Sequence, residues 1–270
     1  VRTGLYYELD QRPVEAVVIS SQLIFGSVGN NVIARLIERA GHRVVAVPTV
    51  ILGNLPHYPS LAGGALDDSW FAGMLEALLE RDVLTEARFV CVGYLAHPGQ
   101  ASIIAQWFAR LKAVNPGIRL IVDPAMGDDD VGLYTVPEVV EGYIEHLLPL
   151  AAGITPNNFE LGLLVKPGME NVTSRARSLL GGNLDWVAVT SAPTDDADNG
   201  TICTLLVSET RQWQVKTRRV ASRAKGAGDY FLGATVTGLL EGMDLEPAME
   251  AAAHATSMAL AGKDPGFSAR

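Results

Sequence analysis

The stretch "KGAGDYFLGA", residues 225–234, sets a lone carboxylate between a glycine turn and an apolar run of helical character. Two readings of Asp229 stay open on these residues alone. Asp is a favoured helix N-cap, and glycine is common in the loop before a helix. A glycine-rich turn at a helix N-terminus also offers free N–H groups and a favourable dipole to an oxyanion. In that second case the backbone of Gly226, Ala227 and Gly228 holds a phosphate as charge builds on it, and Asp229 accepts the proton of an attacking hydroxyl. A carboxylate beside phosphate is costly unless cations balance it, so this chemistry calls for a metal. Asp123 and Glu160 are two further carboxylates suited to hold Mg2+ through waters. Lys225 either touches phosphate or merely flanks the turn.

The elements that must position these residues are legible along the chain. Short apolar, β-branched runs at 15–20, 42–50, 88–93, 119–124 and 185–191 predict buried strands. Apolar residues at helical spacing predict helices over 29–41, 67–82, 98–114, 136–151, a segment ending near 166, and 172–180. "GITPN" (153–157) reads as a short strand end. Strand and helix alternate, and the strands are apolar throughout, which predicts a mostly parallel sheet covered on both faces. The pattern then changes: 200–208 and 211–217 predict an antiparallel hairpin at the sheet edge, and two helices, 228–242 and 246–261, close the chain. The whole, 1–270, reads as a single α/β domain with an extended segment at 1–13. "SAPTDDADNG" (191–200) is its most loop-like tract.

Open parallel sheets bind ligands beyond the carboxyl ends of their strands. Polar residues and glycines gather after those ends: Ser21, Gln22, Asn30, Asn54, Tyr94, His97, Asp123, Asp128, Asn157 and Glu160. "KGAGD" follows the last hairpin strand and reaches the same edge. This convergence favours chemistry over simple capping at Asp229. No GxxxxGK[ST] P-loop and no GxGxxG/HRD/DFG set is present. "GSVGNN" (26–31) lacks the third glycine of a dinucleotide fingerprint, and no acidic residue ends the next strand.

Composition narrows the partners. The 270 residues carry a formal charge of −9, with 48% hydrophobic and 19% charged residues. No basic stripe stands out, which argues against nucleic acid. No apolar run reaches the ~18 residues of a membrane span, and the N-terminus shows no signal-peptide core, so a cytoplasmic protein is expected. Cys91 and Cys203 are far apart and match no metal spacing, which predicts buried, reduced thiols. His97 reads as a surface residue, and His42, His146 and His254 as structural.

The order and spacing of "SSQLIFGSVGNN" (20–31), "TVILGN" (49–54), "GYL" (93–95), "DPAMGD" (123–128), "TPNNFE" (155–160) and "KGAGD" (225–229) resemble the pyridoxal kinases, within the ribokinase-like superfamily. The resemblance covers about residues 15–262. It implies a three-layer α/β/α sandwich, ATP as co-substrate with Mg2+ and a monovalent cation, and a homodimer. It implies Asp229 as the base acting on the 5′-hydroxymethyl of pyridoxal, with Gly226, Ala227 and Gly228 as anion hole. Ser21, Thr49 and Tyr94 match substrate contacts, and His57 lies near them. Asp123 and Glu160 match residues around the cation. Asn157, Thr190, Lys225 and Asp123 fall on the nucleotide side. The segment "TVILGNLPHYPS" departs from the family's TV..SNH..YG, which bears on vitamer choice. A hydroxymethylpyrimidine or other small-alcohol kinase, and a non-catalytic pyridoxal binder, are the alternatives.

Overall fold

The structure, a computed structural model, describes residues 12–169, 171–193, 200–222 and 224–267. In chain order its elements are β1 (Ala16–Leu23), α1 (Asn30–Arg39), β2 (Val44–Leu52), β3 (Gly63–Ala65), α2 (Asp68–Glu80), β4 (Phe89–Val92) and α3 (Gly99–Val114). There follow β5 (Arg119–Val122), β6 (Gly127–Asp128), β7 (Gly132–Leu133), α4 (Pro137–Gly142), β8 (Ala151–Ile154), α5 (Asn158–Leu164) and α6 (Val172–Leu179). The chain ends with β9 (Trp186–Ala192), β10 (Thr201–Ser208), β11 (Gln212–Arg218), α7 (Ala227–Leu240) and α8 (Leu245–Leu260).

The main sheet has the order β11-β10-β9-β8-β5-β4-β1-β2-β3. Strands β2, β1, β4, β5, β8 and β9 run parallel, while β10 and β11 form the expected antiparallel hairpin at one edge. The alternation of each strand divides the core. Val17, Ile19, Val90, Val92, Leu120 and Val122 face α2, α3 and α5 through Phe71, Leu75, Ile104, Leu111 and Leu161. Ala16, Val18, Cys91, Ile121 and Ala188 face α1, α7 and α8 through Ile33, Ile37, Leu232, Val236 and Met249. Both faces are therefore covered, as strands without polar alternation require, and the layers are those of a ribokinase-like α/β/α sandwich. Each fully buried Leu, Ile or Val here contributes about 1.5–3 kcal/mol.

Helix α7 is apolar on more than one side because it lies between two others. A Cβ at Gly233 would stand 3.0 Å from the Ile33 Cα of α1, and one at Gly238 would stand 3.1 Å from the Ala248 Cβ of α8. Small residues at these two points let α7 sit close against both neighbours.

Three features go beyond the sequence reading. The edge strand β3, paired antiparallel with β2, is built from "GGA", which carries no strand propensity. The small β6–β7 ladder closes over the "DDD" turn, pairing Gly127 with Leu133. Helix α4 also continues through a π turn, Tyr143–Leu147, that carries the buried Tyr143 hydroxyl to the Gly93 carbonyl at 2.6 Å. Most of the predicted loop after β9, residues 194–199, and most of the N-terminal segment 1–13 lie outside the described residues.

Candidate active site

Strand order reverses at β1: the chain steps outward to β2 and β3, then returns to lay β4 on the other side of β1. Such a switch point opens a crevice beyond the carboxyl ends of the two central strands. The connection after β1 is shaped by its asparagines. Asn31 accepts from the Gln22 side chain at 3.0 Å and from the Leu23 N–H at 2.8 Å, and it donates to the Leu23 carbonyl at 2.8 Å. Asn30 donates to the Ser20 carbonyl at 3.1 Å. These bonds bring Gly29, the residue before α1, directly against Ser21; a Cβ at Gly29 would run into the Ser21 hydroxyl and carbonyl. Gly29 has φ +53 and carries no side-chain cap.

The KGAGD turn enters beside this connection. Gly226 is the residue before α7, in the left-handed region at φ 92, ψ 15, and no side chain caps the helix. A Cβ there would strike the Ser27 carbonyl. Ala227, Gly228 and Asp229 are thus the first three helical residues. Asp229 is not an N-cap. Its Oδ1 reaches the exit of β4, 3.9 Å from where a Cβ on Gly93 would stand. Burial pushes the group up to about 6, and the nearby Gly29 N–H partly opposes the rise. The front N–H groups of α7 are left without a side-chain partner, in the position where an anion gains from the helix dipole.

Asp123, at the end of β5, lies beneath the same turn: a Cβ on Gly228 would stand 3.3 Å from its Oδ2. It is buried, and burial together with the charges of Glu160 and Asp229 holds its carboxyl well above the ordinary range, against the pull of the Thr155 hydroxyl. Glu160 is buried as well, raised to about 7 by burial, with backbone hydrogen bonds opposing. Its Oε1 accepts the N–H of Met126 at 3.0 Å and of Gly127 at 3.4 Å, and its Oε2 accepts the Asn157 N–H at 2.8 Å. Asn157 answers as N-cap of α5, accepting the Glu160 N–H at 2.9 Å, which completes a capping box.

Both Glu160 oxygens accept from backbone, so the side chain pins the 126–127 segment and adds charge beside Asp123, while Oε2, with one N–H, keeps acceptor capacity for a water. Among the described residues no cluster of three or more His, Cys, Asp or Glu forms a ready metal cage. The donor set fits a cation carried largely by phosphates and waters, with Asp123 as its nearest carboxylate, which is how Mg2+ is usually bound at phosphoryl-transfer sites.

The remaining expected residues separate into three kinds. Thr49 is wholly buried and donates its hydroxyl to the Tyr94 carbonyl at 2.7 Å, so it positions the β4 exit. The Tyr94 N–H donates to the Ser20 Oγ at 3.1 Å, and its ring stands 6.3 Å from that of Tyr134. Asn157 donates to the Gly127 carbonyl at 2.8 Å, and Thr190 bridges to Asn157 through its N–H on the Pro156 carbonyl at 2.9 Å. Lys225 reaches the Asp130 carboxylate at 3.6 Å, tying the glycine turn to the β6–β7 turn. The exposed His57 ring, on the connection between β2 and β3, stacks on Tyr58 at 4.8 Å, and the Tyr58 ring meets that of Phe25 in the connection after β1 at 6.3 Å. His97 pairs with Asp68 at 3.1 Å, and His42 with Glu15 at 2.9 Å.

Sequence reasoning missed Tyr134. It follows β7, and its N–H donates to the Met126 carbonyl at 2.9 Å, which returns it to the β5 exit beside the Tyr94 ring. Partial burial pushes its phenol upward, and the charges of Glu160, Asp123, Asp229 and Asp128 add to the rise. The available signal was the turn-like run "DDDVGLY" (128–134), which ends on this tyrosine. That run marks a reversal of the chain but says nothing of where the ring lands.

Residues 64–268 match the model of the phosphomethylpyrimidine kinase family. The pyridoxine/pyridoxal/pyridoxamine kinase of Bordetella avium is 42% identical over 264 residues, covering 96% of this chain and 89% of that protein. The Bordetella bronchiseptica protein of the same name is 44% identical over 247 residues, covering 90% and 86%. Among solved structures, the pyridoxal kinase of Leishmania donovani in complex with ADP and pyridoxamine superposes with a TM-score of 0.80 at 26% identity, covering 91% of this chain and 84% of that one.

Proposed function

The chain belongs to the phosphomethylpyrimidine kinase family, among its pyridoxal kinases, and from that premise we propose how its residues carry out the reaction. It is an ATP-dependent kinase of a B6 vitamer. In our reading the acceptor is the 5′-hydroxymethyl group, which lies in the crevice between Ser21 and Tyr94 with its hydroxyl toward Asp229. Asp229 takes the proton as the oxygen attacks the γ-phosphorus. Its environment suits a base at neutral pH, since burial raises it to about 6 and leaves it mostly ionised near pH 7. The N–H groups of Ala227 and Gly228 face the phosphoryl oxygens as charge shifts toward the leaving ADP.

Bound Mg2+ supplies charge neutralisation on the phosphates. Asp123 is the carboxylate placed to hold it, and Glu160 holds the surrounding backbone. Asn157 and Thr190, joined by their backbone bridge, form the wall on the nucleotide side. Lys225 changes partners from Asp130 to a phosphate oxygen. A homodimer and a cytoplasmic location complete the reading. They rest on the resemblance and are tested by the solution mass and by fractionation.

The observation that carries this reading is the first turn of α7, uncapped by any side chain, with Asp229 Oδ1 at the β4 exit by Gly93 and Asp123 below Gly228. A pure binder of pyridoxal has no use for a base poised beside an anion site. The test is purified protein with Mg-ATP and, separately, pyridoxal, pyridoxine, pyridoxamine and hydroxymethylpyrimidine, followed by phosphorylated product. Turnover of a B6 vitamer with hydroxymethylpyrimidine at least about tenfold slower in kcat/KM supports the reading. Preference for hydroxymethylpyrimidine overturns the substrate assignment.

A further inference from the structure

The C-terminal turn docks behind the candidate base. After α8 the chain folds Asp264-Pro265-Gly266-Phe267 into a tight turn, with the Phe267 N–H on the Asp264 carbonyl at 3.1 Å and the Gly266 N–H on Asp264 Oδ1 at 2.8 Å. Proline at the second position and Asp at the first are the residues such a turn favours. The Asp264 carboxylate then joins two helices. It accepts from Arg39 of α1 at 3.0 and 3.1 Å, and from the Tyr230 hydroxyl of α7 at 2.8 Å. The Phe267 ring meets the Tyr230 ring edge-on, with centroids 5.3 Å apart. Phe267, Tyr230, Val32 and Ala259 form a small buried cluster of their own, separate from the two sheet cores.

Tyr230 is the residue after Asp229, and Val32 lies in the first turn of α1, while Arg39, which Asp264 grips, is the last residue of that helix. The clasp therefore holds the first turn of α7 against the length of α1. We propose that the C-terminal turn Asp264–Phe267 is a positioning clasp: by tying Tyr230 to Arg39 and packing Phe267 on Tyr230 beside Val32, it fixes the first turn of α7 along α1 and so sets where Asp229 faces the acceptor hydroxyl. The proposal rests on the reading of Asp229 as the base. None of the clasp residues touches the reacting groups; they act through the first turn of α7. A displacement of about 1 Å at a reacting group can cost on the order of 100-fold in rate, so a clasp of this kind has leverage on kcat.

The variants are Tyr230→Phe, which removes one hydroxyl and keeps the ring, and Phe267→Leu, which keeps an apolar side chain and loses the ring contact. Each is compared with wild type for kcat, for KM of pyridoxal and of ATP, and for thermal midpoint. Each is also built in the Asp229→Asn background. The expected result is a fall in kcat of about 5- to 50-fold with both KM values within about twofold. In the Asp229→Asn background the same changes cost nothing further, because groups acting through one another are not additive. A lowered midpoint with kcat unchanged in both variants overturns the clasp, as does an equal loss of rate in both backgrounds. The base reading fails separately, and visibly, if Asp229→Asn alone keeps near-normal turnover.

Discussion

Gly226→Ala separates the geometry of the anion turn from ordinary backbone strain. Gly226 sits at φ 92, ψ 15, where an L-residue costs about 1–2 kcal/mol. Its added Cβ also strikes the Ser27 carbonyl, so the turn cannot accept alanine by strain alone and must shift away from the β1–α1 connection. That shift moves the Ala227 and Gly228 N–H groups away from where the proposed reaction places the phosphoryl oxygens. Loss of one such donor costs about 10²–10³ in kcat at sites of this type. Gly242 supplies the matched control. It has φ +89, lies just beyond the other end of α7, and an added Cβ meets nothing within 4 Å. Both variants should lose on the order of 1–2 kcal/mol in urea unfolding, with Gly226→Ala losing more. Only Gly226→Ala should lose activity, by about 100-fold or more in kcat in a coupled ADP-release assay. A Gly226→Ala enzyme within about threefold of wild-type kcat refutes the assignment of this turn as the anion hole.

Three further outcomes follow from the same site. Burial raises Asp229 to about 6 and Glu160 to about 7, and raises Asp123 with help from its neighbours' charges. Unfolded carboxylates titrate near 4, so the native state binds the extra protons. This contribution to stability is complete below about pH 4 and is lost as pH rises through about 6 to 7. Thermal melts without ligands should therefore show a higher midpoint near pH 5 than near pH 8, and a midpoint that climbs over that range contradicts the buried acid cluster. Glu160→Gln leaves one oxygen for the three backbone N–H groups that two now serve, and should cost about 1–3 kcal/mol of stability by chemical denaturation. An unchanged denaturation midpoint would show that the capping box is dispensable. Lys225→Met should raise KM for ATP about 5- to 20-fold and leave KM for pyridoxal unmoved, if Lys225 exchanges its Asp130 partner for a phosphate as proposed; the opposite pattern would place Lys225 with the vitamer.

The parallel strands and the helices between them were legible because their apolar runs are short, β-branched and bounded by glycine, proline or asparagine. The same pattern marked the β10–β11 hairpin and the close of the chain by α7 and α8. Strand β3 was not legible: Gly63, Gly64 and Ala65 pair with β2 through backbone alone, and backbone pairing leaves no trace in residue type. Of the candidate site, the glycine turn, Asp229 and Asp123 could be named from their places after strand ends, and the structure brings Asp123 beneath the turn. Their detailed tasks could not. Nothing local says that Asp229, third in its helix, reaches the β4 exit at Gly93, far earlier in the chain, instead of capping its own helix. Glu160 reads as a residue around the cation and Asn157 as a nucleotide-side residue, yet their spacing is also that of a capping box, and the structure shows that bonding. Thr49 likewise gives its hydroxyl to the Tyr94 carbonyl. His57, in the altered 53–59 stretch, stacks on Tyr58, whose ring meets Phe25 of the β1–α1 connection, and no residue pattern foretold that contact.

The most direct test is the rate of pyridoxal 5′-phosphate formation from pyridoxal and Mg-ATP by wild type and by Asp229→Asn, with circular dichroism confirming that both are folded. Asparagine keeps the size and polarity of the side chain, but it cannot take a proton from the acceptor hydroxyl. The account predicts product from the wild type and a rate at least about 10²- to 10⁴-fold lower from the variant, with pyridoxal still bound. A folded Asp229→Asn protein that forms product at close to the wild-type rate would contradict it.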